Sequence, residues 1–159
     1  MLISRFIFVI CLTAILYFLP VGIAWLAWLK PVCQSPWETL KWLFIPLFLQ
    51  TMLESLFLQP AIYLPSRLMM MVIGILVMML LEYGCFKFLH SVNSTLLTVC
   101  YSTGLISAFF TESAYAQRNI ILHPYDPWFA ALGILFLFLI FVLCTYYPAD
   151  HWFFKNQEG

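Results

Sequence analysis

The chain has 159 residues, 64% of them hydrophobic and only 9% charged, and its seven basic and seven acidic side chains cancel to a formal charge of zero. A soluble domain carries roughly 25% charged residues, and a chain this short buries only about 60–70% of its unfolded surface. An ordinary soluble domain is therefore excluded, a lipid bilayer becomes the expected surrounding, and the lack of Lys/Arg runs argues against nucleic acid as a partner.

A helix crosses the hydrocarbon core with about 20 apolar residues, and five segments approach that length. The first is Phe6–Leu29, with Arg5 before it and Pro20 inside it. Arg5, the apolar run and Gly22-Ile23-Ala24 also have the layout of a cleavable signal peptide. Continuation of the run through Trp25–Leu29 favours a span instead.

The second segment, Trp37–Leu58, opens on Ser35-Pro36-Trp37-Glu38. This reads as a capping box, in which Ser35 accepts from a free backbone N–H and Glu38 reaches back. Pro36 then stands at the first helical position, where no N–H is required. Pro46 falls within the segment, and Gln50 and Glu54 share one face at the i, i+4 spacing.

The third segment, Leu68–Leu89, carries Met69, Met70, Met71, Met78 and Met79, which suit core or lipid-facing packing better than a copper path. Glu82 precedes Lys87 by five residues, and an interfacial salt link between them is the preferred reading.

Asn93 or Ser94 caps the fourth segment, Thr95–Ala116. Asn93-Ser94-Thr95 also matches a glycosylation sequon, but next to the membrane it serves better as a cap. Within the segment Thr103, Ser107 and Thr111 recur every four residues as a hydroxyl stripe, a pattern that suits a helix–helix interface. The fifth segment, Trp128–Tyr147, follows Asp126-Pro127, which repeats the cap-then-proline design. Trp25, Trp28, Trp37, Trp42, Trp128 and Trp152 lie near segment ends, as an interfacial belt requires.

The expected fold is an all-α integral membrane protein, a single domain over residues 1–159 built as a five-transmembrane-helix bundle. Four helices is the main alternative, because the second and fourth segments contain several polar side chains. Orientation is undetermined, since Arg5, Arg67 and Arg118 on one face oppose Lys30, Lys41, Lys87 and Lys155 on the other.

In an alternating bundle the second and fourth helices run toward the same face. Glu54 and Glu112 then lie at similar depths, near loops that carry Arg67, Arg118, His123 and Asp126. A carboxylate inside a membrane is costly unless paired or hydrated, so Glu54, Glu112, Arg67, Arg118 and His123 form a candidate polar or ligand site. The competing reading is structural: each glutamate reaches headgroup water or pairs with an arginine.

His123 and Asp126 are too few ligands for zinc, which wants three or four. Five cysteines include no CxxC pair, and Cys33 with Cys85 is the one candidate disulfide. No GxSxG, HExxH, P-loop or GxGxxG pattern occurs, so neither a catalytic residue nor a cofactor is assigned. The expected function is that of a non-enzymatic accessory subunit or small transport-associated protein, partnered by the lipid bilayer and by copies of itself or another membrane protein. The alternative is a membrane-embedded enzyme or carrier for a lipid-like small molecule. There Glu54 or Glu112 would move a proton, His123 would assist, and the arginines would hold an anionic headgroup.

Overall fold

The computed structural model describes residues 2–18, 35–57, 60–89, 94–117 and 126–146. Five helices account for them: α1 (Leu2–Phe18), α2 (Pro36–Phe57), α3 (Pro60–Leu89), α4 (Ser94–Gln117) and α5 (Asp126–Tyr146), with no strand among the described residues. The all-helical expectation holds. Its five-span form holds in part, because three stretches are long and apolar enough to cross a membrane: Leu64–Phe88, Ser94–Tyr115 and Asp126–Tyr146.

The two remaining helices fall short for different reasons. α1 has 17 residues, about 25 Å at about 1.5 Å per residue, against a hydrocarbon core of about 30 Å. Residues 19–29 of the expected first segment, with Pro20, lie outside the described residues. α2 is long enough, at 22 residues, but Glu38, Lys41, Gln50 and Glu54 interrupt it. Most of these point inward: Glu38, Lys41 and Gln50 are all buried.

Helix starts follow their local chemistry. The Glu38 N–H donates to Ser35 Oγ at 3.2 Å, and the Thr39 N–H donates to the Ser35 carbonyl at 3.0 Å. The Glu38 carboxylate is held by Lys41 Nζ at 2.7 Å. α3 begins at Pro60 rather than at Leu68, and Pro65 lies inside it. This places Arg67 on a helix and not in a loop.

α3 packs most extensively against α4, then against α5 and α2, while α1 lies against α2 and α4. The α3–α4 seam is close because Gly74 and Gly104 face each other across it. A Cβ on Gly74 would stand 2.9 Å from the Ala108 Cβ and 3.3 Å from the Gly104 carbonyl oxygen. Such close approach through small residues is how helices associate in lipid, where hydrophobic exclusion from water no longer drives them together.

The α2–α5 contact is aromatic. Phe141 stacks on Phe44 with ring centroids 4.3 Å apart and on Trp37 at 4.5 Å, and Phe48 stacks on Phe138 at 4.8 Å. Trp37 is thus a core residue rather than part of an interfacial belt. Trp128 is exposed as the belt requires, and Trp25, Trp28 and Trp152 lie outside the described residues. Met70, Met71 and Met78 are buried, whereas Met69 and Met79 face outward. Cys85 carries a free thiol, and Cys33, its candidate disulfide partner, lies outside the described residues.

Phe141 is 3% exposed and Phe136 is 64% exposed. Phe141→Ala is expected to cost roughly 3–5 kcal/mol through lost stacking and an unfilled cavity, whereas Phe136→Ala should be near neutral. Unfolding midpoints of the two variants in one detergent check this contrast.

Candidate functional site

Four charged side chains from four helices meet at one end of the bundle. Arg5 rises from the first turn of α1, Glu54 from the last turn of α2, Arg67 from the early part of α3, and Glu112 from the late part of α4. The alternating helix directions bring these chain positions to one level.

The four form a closed ring of alternating charge. Arg5 Nε is 3.0 Å from Glu54 Oε1, and Arg5 Nη1 donates to Glu112 Oε1 at 2.8 Å. Arg67 Nη2 donates to Glu54 Oε2, and Arg67 Nη1 donates to Glu112 Oε2 at 3.2 Å. Each guanidinium forks across both carboxylates, and every carboxylate oxygen has a guanidinium partner. A planar fork of fixed donors suits this double bridging, and a lysine ammonium would not reproduce it. Two positive and two negative charges cancel, which lowers the cost of holding them away from water.

Gln50 completes the arrangement and explains its own presence in an apolar run. Its Nε2 donates to Glu54 Oε1 at 3.0 Å from one turn earlier on α2. Its Oε1 is buried without a hydrogen-bond partner. Access to the ring is uneven: the Arg67 side chain is 1% exposed and that of Glu112 6%, against 13% for Arg5 and 22% for Glu54. Any solvent or headgroup contact enters beside Glu54.

Of the residues proposed from sequence, Glu54, Glu112 and Arg67 come together. Arg118 and His123 lie outside the described residues. Arg5 completes the ring, and sequence reasoning had placed it on the right face but outside the cluster. A signal for it existed: two inward carboxylates in lipid call for two cations, and Arg5 was one of three arginines on that face.

Thr103, Ser107 and Thr111 do not make interhelical hydrogen bonds among the described residues. Their hydroxyls donate to their own helix, to the carbonyls of Val99, Gly104 and Ser107 at 2.8–2.9 Å. The contact with α3 uses Gly104 and Ala108 instead. Thr103 is exposed and Ser107 and Thr111 are half-buried, leaving the stripe on the flank of α4.

Glu82 departs from its expected pairing. It is buried, and its Oε1 accepts from Thr39 Oγ1 of α2 at 2.6 Å, while Lys87 is exposed. A spacing of five residues turns about 140° around a helix, so Glu82 and Lys87 look in different directions.

Among the described residues no group of three or more His, Cys, Asp or Glu side chains is placed to hold a metal ion. Compared with family models, with curated proteins and with solved structures, the chain has no match.

Proposed function

We propose that the chain is a multi-pass integral membrane protein of non-enzymatic character, an accessory or transport-associated subunit that works in contact with copies of itself or with another membrane protein. The observation that carries this reading is the charge-balanced ring. A general acid or base needs a carboxylate free to take and release a proton. Glu54 and Glu112 have every oxygen engaged by Arg5 and Arg67, which suits a clasp between helix ends more than proton transfer.

Two further features support the reading. The three long apolar helices have only 28%, 28% and 17% of their span residues buried within the chain, so most of their surface is left for lipid or for other helices. In α2 and α1, the helices with a weaker membrane signature, the charges of the ring and of the Glu38–Lys41 pair are turned toward protein. Five passes remain compatible with a bilayer on that account.

The alternative, a carrier that moves protons through Glu54 or Glu112, makes the opposite demand on these residues. The test combines two readouts on the full chain extracted with its native lipid. Native mass spectrometry is expected to give a mass above that of a single chain, from a second copy or a second polypeptide. Proton flux into liposomes is expected to be unchanged by Glu54→Gln. A single chain whose flux collapses in folded Glu54→Gln would overturn the proposal in favour of the carrier.

A further inference from the structure

The opposite end of the bundle contains a cavity of about 220 Å³ between α1, α2, α3 and α4. Thr13, Tyr17, Thr39, Trp42 and Tyr101 supply its polar and aromatic wall. It is about half as large again as the roughly 150 Å³ engineered cavity that accommodates benzene. Thr13, Tyr17, Trp42 and Tyr101 also line a shallower cleft on the flank of α1. Tyr17, on both surfaces, is 58% exposed, so the cavity is approachable from the side of the bundle.

Four of the hydroxyls around this space, those of Thr13, Thr39, Thr98 and Tyr101, have already committed their hydrogens. Thr13 Oγ1 donates to the Val9 carbonyl at 2.9 Å, which leaves Tyr101 as the donor in the 2.9 Å Tyr101–Thr13 bond. Thr98 donates to the Ser94 carbonyl at 2.9 Å. Thr39 lies within hydrogen-bond distance of both the Pro36 carbonyl, at 2.8 Å, and Glu82 Oε1, at 2.6 Å. Its single hydrogen is shared between these acceptors, and its lone pairs remain. These four hydroxyls therefore present lone pairs to the cavity, and a ligand that donates hydrogen bonds is matched to them.

Behind Thr39 stands Glu82, 98% buried by its 2% exposure, with Oε2 lacking any hydrogen-bond partner. Of the other charged groups at this end, Lys41 and Glu38 bind each other at 2.7 Å, and Lys87 is exposed on another side of α3. Among the described residues Glu82 thus has a hydroxyl but no ion-pair partner within 4 Å, unlike the fully paired glutamates of the ring. A buried carboxyl group with an unused acceptor oxygen is rare in folded proteins and asks for a partner. Trp42, Tyr17 and Tyr101 add ring faces, to which a cation is attracted when held within about 6 Å.

We propose that this cavity binds a small organic cation, a primary ammonium on a short apolar or aromatic body. Its N–H groups donate to Thr39 and Tyr101, and its charge is compensated through Thr39 by Glu82. The aromatic wall takes the apolar body. Such a site lies at the far end of the bundle from the Arg–Glu ring and does not depend on whether the chain works alone or in an assembly.

The test is equilibrium dialysis of the full chain in nanodiscs of zwitterionic lipid, with empty nanodiscs subtracted. Benzylammonium and benzyl alcohol are the probes, being matched in shape but differing in charge. The expected result is binding of benzylammonium at least tenfold tighter than benzyl alcohol, with that preference reduced to near unity in Glu82→Gln. Equal binding of the two probes to the unmodified chain, or binding of neither, overturns the proposal. So does a preference that survives in folded Glu82→Gln. Should Glu82→Gln fail to fold, Thr39→Val gives the same reading, since it keeps the side-chain shape and removes the hydroxyl that links cavity and carboxylate.

Discussion

Arg67→Met is expected to lower the stability of the bundle by about 3–5 kcal/mol, the usual consequence of removing one partner from a buried ion pair. Arg67 bridges Glu54 and Glu112 and is 1% exposed. Its loss leaves two carboxylates facing one guanidinium, and water has little access to make up the difference. Arg5→Met likewise breaks the contacts with both glutamates but should cost less. Arg5 is 13% exposed, so headgroup water can reach the glutamates it leaves behind. Unfolding midpoints in a single detergent, with helix content followed by circular dichroism, give both values.

The diagnostic variant is the double substitution Arg67→Met with Glu112→Leu. It removes one positive and one negative charge and leaves the Arg5–Glu54 pair at 3.0 Å intact. Replacing a whole buried pair by apolar groups of similar volume is often neutral or stabilising. The double variant should therefore recover most of what Arg67→Met loses. A double variant as unstable as the two single losses combined would mean that Arg67 matters for packing and not for charge balance.

Much of this end of the molecule was legible in the sequence, because helix direction and depth follow from counting residues along alternating spans. That arithmetic places Glu54 and Glu112 at one level, and the structure joins them through Arg67. Arg5 was harder to read because the first apolar run starts at Phe6, which leaves Arg5 looking like a flanking charge. The helix in fact begins at Leu2, so Arg5 projects from its first turn into the bundle. Glu82 was misread for a different reason. Its partner, Thr39, is 43 residues away in the chain, and a search for a charge nearby in sequence cannot find a hydroxyl on another helix.

The hydroxyl stripe on α4 shows where periodicity reaches its end. Thr103, Ser107 and Thr111 share a helix face, but so do Gly104, Ala108 and Glu112, one residue and about 100° further round. Spacing alone does not say which face turns inward. Hydroxyls satisfied by their own backbone have no need of a partner helix, whereas Glu112 in lipid does. The costlier residue sets the rotation, and Gly104 and Ala108 follow it to the seam.

Gly74→Ala should accordingly act on the ring as well as on the seam. The added methyl would stand 2.9 Å from the Ala108 Cβ and 3.3 Å from Leu43 Cδ2. Ala108 has no rotamer with which to yield, so α3 and α4 must separate. Overpacking of this kind costs about 1–3 kcal/mol. Gly84→Ala is the control, because nothing lies within 4 Å of its added Cβ and helix propensity favours alanine by roughly 0.5–1 kcal/mol. Along α3, Gly74 and Arg67 are two turns apart on one face. Along α4, Ala108 and Glu112 are one turn apart on one face. Separation at the glycines therefore draws Glu112 from Arg67, and part of the ring's contribution is lost before any charge is removed. The combination of Gly74→Ala with Arg67→Met is expected to be less damaging than the sum of the two, by at least about 0.5 kcal/mol, the lower bound for sites coupled through a backbone shift. Strict additivity of the two losses would show that the seam and the ring are energetically independent, and that the close glycine approach does not position Glu112.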